Sequence, residues 1–373
     1  MSSSTSSSDR FRRFTLGVLL LAFLPAALFF AIGIWLQPLD GDLTRAGSFS
    51  QRHYGWNSTQ IVYRTLRYSL GPYDRPYDVV VYGDSFAVAM PSHQWQNRLA
   101  EATGLSVITL NVYTDPLARV LENPVFVATP PKVFVLTLAE RHFPEQLAKL
   151  SDCAPDATPP QSEMVAAAPA NALPAMPTDL PTIADAVETR RQTHWQDLRE
   201  VKIGYAAKTV FHTLLRAVSK RERTKVVRVS LTRDDLFSNL DPGRTLVYRD
   251  DVDKVAQWQA EGLDGLVCRI ETLRRRIEAN GVTRFVLLVA PDKLTAYEPY
   301  LATDDYRGLS RLAELAERLP GTMPRVDTAI AAVIAAGHVD VYLPNNTHWG
   351  SAGHLATGEA VARFIEATNV VPR

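Results

Sequence analysis

The chain begins with an apolar run that is long enough to cross a membrane. Phe14–Leu36 is uncharged over 23 residues, and Arg10, Arg12 and Arg13 precede it. As a helix this run measures about 35 Å, against a hydrocarbon core of about 30 Å. Positive charges before the run favour a cytoplasmic N-terminus. We therefore expect a cytoplasmic stretch at 1–13, a transmembrane anchor at 14–36 and an extracytoplasmic domain at 37–373.

A cleaved signal peptide is the alternative interpretation of the same run. The apolar region of a signal peptide normally spans about 7–15 residues and leads to a small-x-small cleavage site. This run is longer and ends in Trp35-Leu36-Gln37-Pro38, which favours an uncut anchor. The expected location is the cell inner membrane, with a single span and a periplasmic main domain.

Short apolar runs alternate with amphipathic stretches through the rest of the chain. A buried strand is predicted at Val79–Tyr82, which leads directly into Gly83-Asp84-Ser85. Further strands are predicted at Ser106–Val112, Lys132–Leu138, Arg284–Ala290 and His338–Leu343. Helices are predicted at Phe86–Ala102, Asp264–Asn280, Leu309–Leu319 and Ser351–Ile365. This alternation predicts an α/β fold whose parallel sheet is covered by helices on both faces.

Two segments do not follow the alternation. Ser151–Thr182 holds 7 Pro and 8 Ala among 32 residues and no Lys or Arg. Such a composition cannot bury enough surface to offset its ordering entropy, so we expect a flexible insertion at 151–182. Ile183–Glu222 is amphipathic and predicts a long helix.

Composition narrows the class of protein. Hydrophobic residues make up 46% of the chain, which is enough to bury a core and excludes a wholly disordered protein. Lys plus Arg and Asp plus Glu number 40 each, and this balance argues against a general nucleic-acid binder. Cys153 and Cys268 are too few for a disulfide framework or a four-thiolate zinc site. We interpret them as two unrelated thiols.

The candidate chemistry lies where the first buried strand ends. Ser85 follows that strand at its carboxyl end, where ligands gather in open α/β sheets. Gly83 lets the backbone bend, and the amides that open the next helix can stabilise an oxyanion. Gly-Asp-Ser is also a good turn and N-cap, so these three residues alone are a weak signal.

A serine nucleophile needs a base, and His348 is the candidate among eight histidines. It lies in Asn345-Asn346-Thr347-His348-Trp349-Gly350, directly after the last predicted strand, Val339–Leu343. We therefore expect it at the same sheet edge as Ser85. A loop histidine packed on Trp349 is the alternative, and His354 in the next helix is expected to be structural.

Together these motifs resemble the SGNH (GDSL-type) hydrolase superfamily. Gly83-Asp84-Ser85 follows the first strand and His348 follows the last, as in that superfamily. Asn346-Thr347-His348-Trp349 resembles the Asp-Thr-His-Trp motif of the alginate O-acetyltransferase branch. The resemblance covers most of residues 37–370. Three further segments are similar to that branch: Glu140-Arg141, Pro291-Asp292-Lys293 with Tyr297, and Pro38-Leu39-Asp40-Gly41-Asp42-Leu43.

The resemblance implies an SGNH-like (flavodoxin-like) three-layer fold and O-acetyl transfer onto a cell-surface or exported polysaccharide. Ser85 is then acylated, His348 is the base, Asn346 orients its ring, and Asp84 belongs to the catalytic set. The implied substrate and oxyanion contacts are Gly83, Asn111, Trp349 and the Ser85 amide. The implied partners are a polysaccharide acceptor and a multi-pass membrane acyltransferase that hands acetyl groups across. This chemistry requires no metal or cofactor and no nucleic acid.

Two features depart from the alginate branch. Its Asp-x-His element precedes the serine, whereas the matching element here follows it. The aspartate position is Asn346, which can orient an imidazole but offers no charge, and the same Asp→Asn change in a serine protease costs about 10⁴-fold in turnover. Asp340 is a candidate compensating carboxylate. A carbohydrate acetylesterase and a non-catalytic polysaccharide-binding or assembly subunit are therefore open alternatives.

The charge asymmetry around the anchor leads to a topology prediction. A reporter that works only outside the cytoplasm should be active when fused after Arg373, because the arginines hold the opposite end inside. The fusion protein should also stay in the membrane fraction. Activity of a matched cytoplasmic reporter at the same position would overturn the assignment.

Overall fold

The computed structural model describes residues 7–36, 41–153, 179–190, 202–219 and 224–368. Its helices are α1 (Ser7–Leu36), α2 (Asp42–Gly47), α3 (Gln51–Tyr54), α4 (Ser85–Val88), α5 (Trp95–Thr103), α6 (Leu117–Leu121), α7 (Pro124–Ala128), α8 (Phe143–Leu150), α9 (Ile203–Ser219), α10 (Arg249–Glu278), α11 (Lys293–Ala296), α12 (Leu312–Arg318), α13 (Val326–Ala335) and α14 (Ser351–Ala367). Its strands are β1 (Gln60–Tyr63), β2 (Ser69–Leu70), β3 (Val79–Gly83), β4 (Val107–Asn111), β5 (Val133–Ala139), β6 (Ala186–Thr189), β7 (Val226–Ser230), β8 (Arg244–Tyr248) and β9 (Arg284–Ala290).

A five-stranded parallel sheet in the order β2-β4-β3-β5-β9 forms the centre of the domain. Every residue of β3 and β5 is buried, which explains their continuous apolar sequences. Val79 and Val81 face one core cluster, which includes residues of α5, α13 and α14. Val80 and Tyr82 face the other, which includes residues of α10. The predicted α/β fold with helices on both faces is confirmed.

Some predicted elements differ from the structure. His338–Leu343 is not a strand of the sheet, because Asp340 has φ 54° and the segment forms only an isolated bridge between Tyr342 and Trp349. The predicted helix Phe86–Ala102 is divided into α4 and α5 by Met90, with φ 50°, and Pro91. The predicted helix Ile183–Glu222 is wrong in its first part, where β6 pairs with β1, and α9 lies in its second part.

α1 is the candidate membrane span. Within the described residues it is the one helix long and apolar enough to cross a membrane, with a mean hydropathy of 2.5 over its most apolar window. None of that window is buried in the protein. The Arg52 guanidinium lies 4.2 Å from the centre of the Trp35 ring, and α9 packs beside α1. The structure is thus consistent with single-pass anchoring.

Cys153 and Cys268 form a disulfide, so their interpretation as two unrelated thiols is wrong. Cys153 follows α8 and Cys268 lies within α10, at a sequence separation of 115. The sequence between them includes the Pro/Ala-rich insertion. Residues 154–178, and with them most of the expected flexible segment 151–182, lie outside the described residues.

Removal of this disulfide is expected to lower the free energy of unfolding. Closing a loop with a separation of 115 residues restricts the unfolded chain and typically contributes about 2–5 kcal/mol. Thermal unfolding of Cys268→Ser should therefore occur at a lower temperature than that of the wild type. A reductant should lower the midpoint of the wild type and leave the variant unchanged. Two titratable thiols in unreduced, unfolded wild-type protein would contradict the pairing.

Candidate active site

Ser85 begins α4 directly after β3, at the carboxyl edge of the sheet. Its side chain is partly exposed. Among the residues that the structure describes, neither its hydroxyl nor its amide nitrogen takes part in a hydrogen bond. Both groups are therefore available, the hydroxyl as a nucleophile and the amide as a donor to a developing oxyanion.

Asp84 fixes the turn that carries Ser85. Its Oδ1 accepts a hydrogen bond from the Phe86 amide at 3.0 Å, and its Oδ2 accepts one from the Ala139 amide at 2.7 Å. Its own amide donates to the Thr137 carbonyl at 3.1 Å. The side chain is buried, which raises its pKa, although the two amide donors oppose the shift. Asp84 thus ties the turn to the end of β5, and we assign it a positioning role.

Gly83 is required by close packing. A Cβ at this position would lie 2.7 Å from Ala87 Cβ and 2.9 Å from Thr137 Cβ, closer than packed carbon atoms approach. Gly83 does not have a positive φ, so the expected bend is not the reason for glycine. Its absent side chain lets α4 lie directly against β5.

His348 lies against the Ser85 turn. Its ring centroid is 5.0 Å from that of Phe86, the residue after Ser85. Asn346 Oδ1 lies 2.7 Å from His348 Nδ1 and also accepts the His348 amide hydrogen at 3.1 Å. An oxygen facing Nδ1 places the ring proton there and leaves Nε2 unprotonated.

The electrostatic surroundings keep His348 neutral. Burial lowers the pKa of His348 to about 4, the charge of Arg141 acts in the same direction, and Asp42 opposes both. Its Nε2 is buried and has no hydrogen-bond partner among the described residues. A neutral imidazole with an unoccupied Nε2 is the form that a general base needs.

The side-chain nitrogen of Lys293 holds the loop that carries His348. This Nζ donates to the carbonyl oxygens of Leu343 at 3.0 Å and Pro344 at 2.9 Å. It also lies 5.0 Å from the centre of the Phe237 ring. Burial lowers the pKa of Lys293 to about 7. These contacts hold a segment that does not join the five-stranded sheet.

Buried ion pairs connect the ends of β5 and β9 beside this loop. Asp292 lies 2.9 Å from Arg141 Nη1 and 3.0 Å from Lys254 Nζ, and Lys254 Nζ lies 2.8 Å from Glu140 Oε1. All four side chains are buried. The Arg141 guanidinium lies 5.7 Å from the centre of the Phe86 ring. Glu140, Arg141 and Asp292 therefore supply the buried ion pairs beside the candidate site. Lys293, the residue after Asp292, holds the loop.

The two remaining predicted contacts, Asn111 and Trp349, differ in their accessibility. Asn111 ends β4 beside Gly83, and its Oδ1 accepts the Tyr113 amide hydrogen at 2.9 Å, so its NH₂ group is the available donor. Trp349 is fully buried, and its ring centroid is 4.7 Å from that of Phe86. Its burial places Trp349 in the core and leaves it no surface to offer a substrate.

The carboxylate near His348 is Asp42, which sequence reasoning did not single out. Asp42 Oδ2 lies 3.5 Å from His348 Nδ1. Asp340, the expected compensating carboxylate, instead accepts hydrogen bonds from the side chains of Ser58 and Ser238. Asp42 appeared only within the segment that resembles the alginate branch, of which residues 38–40 lie outside the described part. No local pattern connects it with His348.

Comparison with protein-family models, curated proteins and solved structures gives no match. Within the described ranges, no three His, Cys, Asp or Glu side chains form a group that would hold a metal ion. The arrangement that bears on function is therefore the Ser85 turn, His348 and the two groups near its Nδ1.

Three histidines should make the fold sensitive to acid. Burial lowers the pKa of His93 and His348 to about 4, and it lowers that of His354 well below its ordinary value. The unfolded chain binds these protons at an ordinary pKa of about 6.5, so the stability present above that pH is lost as the pH falls toward the folded values.

Urea unfolding at several pH values between 7 and 4.5 would measure this loss. Each histidine should contribute on the order of 1 kcal/mol per pH unit. His354→Phe removes one of the three titrations, so its unfolding free energy should vary less steeply with pH than that of the wild type. An unfolding free energy that varies equally with pH in wild type and His354→Phe would contradict the prediction.

Proposed function

We propose that the chain is a membrane-anchored O-acyltransferase of SGNH type that transfers acetyl groups to a cell-surface or exported polysaccharide by a Ser-His mechanism. One observation carries the proposal. A serine hydroxyl free of structural hydrogen bonds lies at a strand-to-helix turn, and the next residue, Phe86, contacts a neutral histidine with an unoccupied Nε2. A serine hydroxyl and a neutral imidazole are the two groups that nucleophilic acyl transfer needs.

The proposed reaction proceeds in two balanced steps. Ser85 Oγ attacks the acetyl carbonyl of the donor while His348 Nε2 takes its proton, and the leaving group then takes that proton as its bond to the acetyl carbon breaks. A hydroxyl of the acceptor next attacks acetyl-Ser85, gives its proton to His348 and becomes an ester, and the proton returns to Ser85. The Ser85 amide and the Asn111 NH₂ group are the candidate donors to each oxyanion.

Two features support an extracytoplasmic location. The Cys153–Cys268 disulfide fits an oxidising compartment such as the periplasm. The arginines that precede the apolar part of α1 fit a cytoplasmic N-terminus and an inner-membrane anchor. Acetyl donors are made in the cytoplasm, so the proposal includes a multi-pass membrane acyltransferase as partner, which rests on the resemblance alone.

The carbohydrate acceptor is supported by the resemblance and by one exposed ring. The Tyr113 side chain is 62% exposed and follows Asn111 at the edge where Ser85 lies. The phenol is close enough to the charges of Asp84 and Arg141 for both to influence its pKa, which burial raises. An exposed aromatic ring offers a flat apolar face to the C–H groups of a sugar. Transfer to water instead of a sugar would make the same site an acetylesterase.

Ser85→Ala is expected to abolish both cleavage of a chromogenic acetyl ester and transfer of acetyl groups to an oligosaccharide. His348→Ala should cause a comparable loss, because the two residues act as a unit. The loss expected for either variant is at least about 10³-fold in kcat. Full-length protein in detergent is assayed, and retained thermal unfolding shows that the variants fold.

Ser69 on the edge strand β2 provides the matched control, and Ser69→Ala should retain wild-type activity. Unchanged activity of folded Ser85→Ala would overturn the serine mechanism. Wild-type protein that binds the polysaccharide but cleaves no more ester than Ser85→Ala would instead identify a non-catalytic binding subunit.

A further inference from the structure

We propose that Asp42, in the segment that follows the membrane helix, is the carboxylate that positions His348 and stabilises its charged form. The inference rests on the proposed Ser-His function. Its central observation is geometric, since Asp42 Oδ2 lies 3.5 Å from His348 Nδ1. Asn346 Oδ1 contacts the same nitrogen at 2.7 Å. The amide and the carboxylate thus share the role that one aspartate has in a Ser-His-Asp triad.

The backbone around Asp42 is locked to the loop that carries His348. The Leu43 amide donates to the Asn345 carbonyl at 3.0 Å. A side chain on Gly41 would collide with that carbonyl and with the Asn345 side chain, so glycine permits the close approach. The position of Asp42 is therefore set by the neighbours of His348 itself.

The opposite side of α2 packs against the rest of the domain. Leu43 is fully buried in a small cluster with Phe49, Tyr54, Val226 and Leu246. The Tyr205 hydroxyl of α9 lies 2.9 Å from the carbonyl oxygens of both Thr44 and Phe49. The segment that bears Asp42 is thus an ordered part of the domain, although it begins shortly after the membrane helix.

The chemistry explains why a charge is needed at this position. When Ser85 attacks, His348 becomes an imidazolium, and a neutral amide such as Asn346 orients that ring without stabilising its charge. A carboxylate within about 4–6 Å favours the charged form. Asp42 is the group that raises the pKa of His348 against burial and the charge of Arg141.

Other charged groups lie close to Asp42 or to His348. Arg45 Nη2 lies 2.9 Å from Asp42 Oδ1, so the two carboxylate oxygens face different cations when His348 is protonated. Arg141, in the turn after β5, acts on His348, and the charge of His348 in turn lowers the pKa of His354 in α14. Because Asp42 belongs to the segment after α1, undocking that segment would withdraw a charge from the base.

Asp42→Asn in the full-length protein tests the proposal, because it keeps the size of the side chain and removes its charge. The kcat of Ser85-dependent ester cleavage should fall about 10²- to 10³-fold with little change in KM. The acidic limb of the pH profile should move to lower pH, since loss of a negative charge lowers the pKa of His348 further. Asp304→Asn makes the same change at an exposed carboxylate that pairs with Arg307, and it provides the matched control, with activity within about twofold of wild type.

Rescue distinguishes this role from a purely structural one. Asn346→Asp in the Asp42→Asn background returns a carboxylate to Nδ1, and it should restore most of the lost kcat and raise the acidic limb again. A variant that failed because α2 no longer docks would gain nothing from this second change. Equal kcat and equal pH profiles for wild type and Asp42→Asn would overturn the proposal while the Ser-His function stands.

A readout without substrate separates the two proposals. Nitrogen-15 NMR of histidine-labelled full-length protein in detergent follows the titration of His348, which is assigned by its loss in His348→Ala. Asp42→Asn should lower that pKa and Asn346→Asp should raise it. If no protein shows Ser85-dependent turnover, the proposed function fails, and an unchanged titration in Asp42→Asn would then reject the Asp42–His348 interaction as well.

Discussion

Two hydrogen bonds from the buried side chain of Lys293 hold the loop that carries His348, and the candidate site depends on them. The Lys293 Nζ donates to the carbonyl oxygens of Leu343 and Pro344, in a segment whose only strand-like pairing is the bridge between Tyr342 and Trp349. Lys293 directly follows Asp292, and the ion pairs of Asp292 with Arg141 and Lys254 hold the end of β9. Loss of one partner in such a pair leaves an uncompensated buried charge, so this end of the sheet has little freedom to move. The position of His348 depends on this end of the sheet, because Lys293 holds the loop on which His348 lies.

The charges that build the candidate site also act on His348. Burial raises the pKa of the Asp251 carboxyl, and the cations Arg141 and Lys254 face the carboxylates Glu140 and Asp292. Arg141 remains close enough to His348 to lower its pKa. Asp42, whose Oδ2 lies 3.5 Å from His348 Nδ1, opposes that effect. The site thus combines a rigid cationic support with a compensating anion from a different part of the chain.

Local sequence patterns were sufficient to predict those elements in which neighbouring residues share one environment, such as the buried core. β3, β4, β5 and β9 are almost entirely buried, so each appears in the sequence as a mostly apolar run whose predicted bounds lie within one residue of the observed strand. The length of the first apolar run likewise predicts α1. Asp84 caps the turn after β3, as the Gly-Asp-Ser sequence indicated. In each case the deciding interactions lie within a few residues of one another.

The sequence by itself therefore determined four of the five strands of the sheet, the apolar helix α1 and the serine turn, because periodicity and capping are local properties. Only the tertiary structure decided the rest. Val339–Leu343 has the composition of a strand, yet the positive φ of Asp340 and the contacts of Lys293 make it part of a loop. The disulfide and the approach of Asp42 to His348 join segments far apart in sequence. Such contacts depend on the path of the whole chain, and no local pattern of residues encodes that path.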